Sequence, residues 1–134
     1  MSAKSAIAAL KVQLATVYTT LTGRAALETT SSTLPIITIY STGDSHAADQ
    51  DYSDLTFTRR LTIEVKIAAT ATYDAALDDA LAAIRAVIQP DALTGEWWGG
   101  NALRVQETNA AFFAPPPNSN EAVLQINLEF DYRP

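Results

Sequence analysis

A chain of 134 residues with 48% apolar and 18% charged side chains has room for one hydrophobic core and not two, and this composition excludes a disordered polymer. The net charge of −6, with no lysine or arginine cluster, excludes the phosphate-neutralising surface of a direct nucleic-acid binder. The lack of cysteine excludes disulfides and thiolate metal sites, and no apolar run approaches the roughly 20 residues that span a bilayer, so we expect a soluble, unprocessed protein with no membrane partner.

Residues 2–21 predict an amphipathic helix. Ile7, Leu10, Leu14, Val17, Tyr18 and Leu21 fall on one face, Ser2 or Ser5 supplies the N-cap, and Gly23 stands where a left-handed C-terminal residue is expected. Residues 24–27 follow as a short edge strand and 28–33 as a polar connection. Residues 34–40 are β-branched and aromatic enough for a strand, with Pro35 tolerable at its start and Ser41-Thr42-Gly43 as its stop. Residues 44–54 then bring Asp44, Asp49, Asp51 and Asp54 together with one histidine and no positive charge.

Residues 55–68 show the longest strict two-residue alternation in the chain. Leu55, Phe57, Leu61, Ile63, Val65 and Ile67 share one face, and Thr56, Thr58, Arg60, Thr62, Glu64 and Lys66 share the other. Arg59 interrupts the apolar side, where a guanidinium persists only if paired or solvated. We therefore expect 61–68 to lie over the core and 55–59 to run beyond it as an arm, in a hairpin with 34–40 whose tip is the acidic segment.

Residues 73–89 predict a second helix, capped by Thr72 and ended by Pro90, with Leu77, Leu81, Ile84 and Ile88 buried and Asp78, Asp79 and Arg85 solvated. The loop 91–101 offers Trp97-Trp98-Gly99-Gly100 as an exposed aromatic pair. Strands over 102–111 and 122–132 close the chain across Pro115-Pro116-Pro117, and Leu124, Ile126, Leu128, Phe130 and Tyr132 alternate with polar residues. This order predicts a single α+β domain over 1–134: a mostly antiparallel or mixed sheet, two helices packed on one face, and a long projecting β-hairpin.

Candidate chemistry is sparse. Ser45, His46 and Asp49 have the residue types of a triad but lie in a polar loop without the scaffold that nucleophile and base require. The aspartates of 44–54 lack the central glycine and terminal glutamate of a calcium loop. Asp78 and Asp79 are helix neighbours and share no face. Phe112-Phe113 place one ring on each face of a strand, one for the core and one free. No GxGxxG, P-loop or HExxH occurs, so we expect no catalytic residues, no cofactor and no metal. Trp97 and Trp98 remain as a stacking platform or interface anchor, or as one core ring partly covered by the other.

Taken in order, Gly23-Arg24-Ala25-Ala26, then Leu34-Pro35 through Tyr40-Ser41-Thr42-Gly43, an acidic loop, a long alternating strand, an aspartate-bearing helix and two closing strands with an aromatic tail resemble the tail terminator (minor tail protein U) family of long-tailed bacteriophages. The resemblance spans nearly the whole chain. It implies a virion protein assembled in the host bacterial cytoplasm and placed at the head-proximal end of the tail, where a hexameric ring caps the tail tube, stops its polymerisation and presents a head-joining surface. Implied partners are further copies of the chain, the tail tube protein and a head-completion or connector protein. The alternatives are a head–tail connector subunit and a small-molecule binding module with the Trp97-Trp98 loop as its lid. The expected interface residues are Asp44, Asp49, Asp51, Asp54, Leu55, Phe57, Arg59, Trp97 and Trp98. Arg59 is expected to pair with a carboxylate of the adjacent subunit, with the 44–54 segment as its candidate source, and that segment is also expected to dock the tail tube or head partner.

Overall fold

The fold is that of a computed structural model in which residues 2–23, 34–46 and 55–134 are described. Helix α1 (Ala3–Leu14) begins at Ser2, whose Oγ accepts the Ser5 N–H at 3.1 Å, and buries Ala3, Ala6, Leu10 and Leu14. It ends well short of residue 21. The β-branched and aromatic run Thr16-Val17-Tyr18-Thr19-Thr20 loses side-chain freedom in a helix, and the Thr16 hydroxyl donates instead to the Gln13 carbonyl at 2.7 Å. The chain turns and enters strand β1 (Thr19–Thr22), after which Gly23, at φ 94°, donates its N–H to the Ile39 carbonyl at 2.8 Å. Val17, Tyr18 and Leu21 thus lie outside the helix, and Gly23 closes a strand. The strand expected at 24–27 lies outside the described residues.

Strand β2 (Ile36–His46) starts directly after Pro35 and pairs in parallel with β1. It does not stop at Ser41-Thr42-Gly43. An extra residue between Ser41 and Gly43 makes a bulge, and the ladder with strand β3 (Phe57–Ala68) resumes at Gly43↔Arg60 and runs to His46↔Phe57. Bulging lets the strand keep its hydrogen bonds through a stretch whose residue types suggest a turn. Helix α2 (Tyr73–Val87) buries Leu77, Ala80, Leu81 and Ile84, with Ile88 buried just beyond it. Thr72 holds the N-cap position without a side-chain capping bond. Strand β4 (Arg104–Phe113) and strand β5 (Glu121–Tyr132) form the closing antiparallel pair across the triple proline.

The sheet order is β1-β2-β3-β5-β4, a five-stranded mixed sheet in a single α+β fold. Buried residues of both helices join Ile37, Ile39, Leu61, Ile63, Val65, Leu124, Ile126, Leu128 and Phe130 in one cluster, so one face of the sheet carries the core. Each fully buried Leu or Ile there contributes roughly 1.5–3 kcal/mol. Among the described residues no strand projects beyond the sheet. β5 flanks β3 to its outer end, at Phe57↔Tyr132, and the tip of the β2–β3 connection lies outside the described residues.

Candidate interface surface

Register decides what surrounds Arg59. Ile37, Ile39 and Ser41 alternate onto the helix side of the sheet, and the bulge then shifts the phase by one, so that Asp44 rather than Gly43 stands opposite Arg59. On the other side β5 places Phe130 opposite Arg59, with Tyr132 two residues on. The Arg59 Nε donates to Asp44 Oδ2 at 2.6 Å, its Nη1 to Ser41 Oγ at 3.2 Å, and the Tyr132 hydroxyl donates to the same Asp44 oxygen at 2.7 Å. The guanidinium carbon lies 5.9 Å from the Tyr132 ring centroid. Arg59 therefore finds its carboxylate within its own chain, which corrects the expected intersubunit pair. Burial pushes the Asp44 carboxyl up, but the Tyr132 hydroxyl and the Arg59 charge outweigh it and hold it below the ordinary carboxylate value. The Tyr132 phenol is raised, first by burial and then by the Asp44 carboxylate beside it.

Aromatics extend this cluster outward. Phe57 is half-buried, 4.6 Å from the His46 ring and 5.9 Å from that of Tyr132 between centroids. It packs within the subunit and is not a free face. Leu55, just before β3, is 61% exposed. Ser45 and His46 are consecutive on a strand and point to opposite faces, so they do not converge as a nucleophile and base would. Asp49, Asp51 and Asp54 lie outside the described residues.

Of the two readings of the tryptophan pair, the structure has the one with a core ring partly covered by the other, not the exposed pair. Trp98 is 1% exposed and meets Phe130 edge-on at 5.1 Å, while Trp97 is half-buried over the core. Positive φ at Trp98, Gly99 and Gly100 turns the chain sharply enough to insert the indole. A lid must swing, and Trp98 is fixed in the core. Its indole N–H and the Gln13 side-chain oxygen are buried without a partner among the described residues, and both side chains line a cleft of about 450 Å³ roomy enough for a bridging water. Phe112 and Phe113 are 48% and 47% exposed, so neither is the core ring expected of one of them.

The opposite face of the sheet carries a polar ladder. Thr58 donates to Asp131 at 2.6 Å, Thr62 to Asn127 at 2.7 Å, Asn127 to Asn109 at 2.6 Å, and Arg104 bridges Asp131 and Glu129. On the helix side Arg85, expected to be solvated, forms a two-pronged bond with Glu107 at 2.9 and 2.6 Å. Both side chains retain solvent contact, so a double-mutant cycle with Arg85→Ala and Glu107→Ala gives a coupling below about 1 kcal/mol by urea unfolding. A coupling of several kcal/mol would show the pair to be desolvated.

Among known proteins, no family model matches the chain and no curated protein is significantly similar to it. Sequence reasoning singled out Asp44, Phe57 and Arg59 but missed Tyr132 and Ser41, which complete their cluster. Tyr132 was legible as the last residue of an alternating strand. Its partnership with Asp44 was not, because it depends on the bulge.

Proposed function

We propose that this chain is a structural subunit of a long-tailed phage, a ring-forming tail terminator that caps the tail tube, stops its polymerisation and offers the surface to which the head joins. The sequence resemblance suggests the reading, and the sheet's β4 edge carries it best. β4 is a ten-residue edge strand that pairs only with β5 among the described residues and ends in the exposed rings of Phe112 and Phe113. Long open edges with apolar ends invite another chain. A head-to-tail contact of this kind, repeated around a closed axis, covers every edge without growing into a fibre.

Sedimentation across a concentration series, with tail tubes imaged after mixing, tests the reading. We expect a discrete ring, six-fold by the resemblance, seated at one end of each tube. A species that stays monomeric at every concentration and salt, and leaves tube length unchanged, would refute it.

A further inference from the structure

One groove has a charge opposite to that of the molecule as a whole. It is a cleft of about 430 Å³ beside α1, with Ile7 and Ala8 on an apolar wall and Lys4, Lys11 and Arg59 around it, three of the nine cations in a chain of net charge −6. No carboxylate lines it among the described residues. Arg59 is already paired with Asp44, but Lys4 and Lys11 are exposed and hold no carboxylate among the described residues. Seven residues apart, they stand on one side of α1 about 10 Å from each other along its axis.

We propose that this groove receives the acidic segment Asp49-Gln50-Asp51-Tyr52-Ser53-Asp54 of a second copy of the chain, an inference that rests on the ring-forming reading above. Residues two apart share one side of an extended chain about 7 Å from each other, as Asp49 and Asp51 would, and the long, flexible lysine side chains, based about 10 Å apart, can close on such a pair. The segment has three carboxylates and no cation, and Tyr52 supplies a ring for the apolar wall. Copies of net charge −6 repel one another, so self-association needs a local contact of opposite sign. The groove faces the neighbour's segment and the segment faces the next groove, which is the head-to-tail geometry of a closed ring.

Charge reversal tests the contact in the full chain. Lys4→Glu/Lys11→Glu and Asp49→Lys/Asp51→Lys/Asp54→Lys each abolish the ring at concentrations where the wild type forms it, while circular dichroism shows both folded. An equimolar mixture of the two restores it, because each reversed surface then meets its complement on the other variant. The milder Lys4→Gln/Lys11→Gln raises the assembly midpoint about tenfold at low salt, and less as salt rises. If the wild type forms rings and either reversal alone does too, the groove contact is wrong and the ring stands. A mixture that fails to reassemble while the single variants fold would place the segment on its own chain and overturn the proposal. A wild type that never assembles would overturn both.

Discussion

Trp98→Ala lowers the unfolding free energy by about 3–5 kcal/mol, whereas Trp97→Ala, one residue away, costs about 1 kcal/mol or less. The contrast follows from burial. Trp98 is 1% exposed and packs edge-on against the fully buried Phe130, which β5 holds at the outer part of the core. Truncation leaves a cavity that the surrounding strands and α1 cannot collapse into, and it also forfeits the aromatic contact. Relief of the unpartnered indole N–H returns a small part of this. Against a total stability of 5–15 kcal/mol typical of such domains, the loss is large enough to shift the urea midpoint plainly at an unchanged slope. Equal costs at the two positions would refute the assignment of Trp98 alone to the core.

Arg59→Ala lowers subunit stability by about 1–3 kcal/mol at neutral pH, the range for charge-assisted hydrogen bonds in a partly shielded site. This reverses the outcome expected of an intersubunit arginine, which is weakened assembly with melting unchanged. The partners decide it: Arg59 holds Asp44 and Ser41 across the β2–β3 ladder, and without it the Asp44 carboxylate is left with the Tyr132 hydroxyl and the more distant charge of Arg60. The pH dependence has a definite sign. Asp44, Asp131 and Glu107 are held below their ordinary values: Asp44 by Tyr132 and Arg59 against its burial, Asp131 by Arg104 and Thr58 against its burial, and Glu107 by Arg85. Their contributions are complete above the unfolded carboxylate range of about 4 and are lost as pH falls through the lowered folded values. Tyr132 is raised, so its contribution is complete below about pH 10 and is lost as pH climbs through the folded value. These four groups accordingly add their full contribution between about pH 5 and 10 and lose it on both sides. The gap between wild type and Arg59→Ala is widest in that range and closes toward acid, where Asp44 is protonated in both. A gap that widens on acidification would mean that Arg59 stabilises some other group.

Local pattern determined a good deal by itself. Strict alternation in 57–67 and 122–132 can be satisfied only by strands with one apolar face, and the buried stripe Leu77-Leu81-Ile84-Ile88 only by a helix, so the α+β class and most of the core followed from side-chain periodicity. Composition also placed Arg59 correctly as the anomaly of its strand. The acidic 44–54 segment was the expected source of its partner, but that Asp44 of the same chain supplies it was beyond local reach, because the answer lies in the single extra residue of the Ser41–Gly43 bulge, which turns Asp44 toward the helix side and lets it meet Arg59 and Tyr132 from three strands. The end of α1 depended on tertiary pairing too: apolar spacing favours helix through Leu21, but Thr19–Thr22 gains a parallel ladder with β2 that a longer helix would forgo. Trp98 shows the same division. Its neighbours Gly99 and Gly100 signal a pliable loop, and only the position of Phe130 across the sheet fixes the indole inside rather than out. Sequence sets periodicity and composition within each element. Register and the space between elements, where one residue's shift reverses every side chain's face, are set by the assembled sheet.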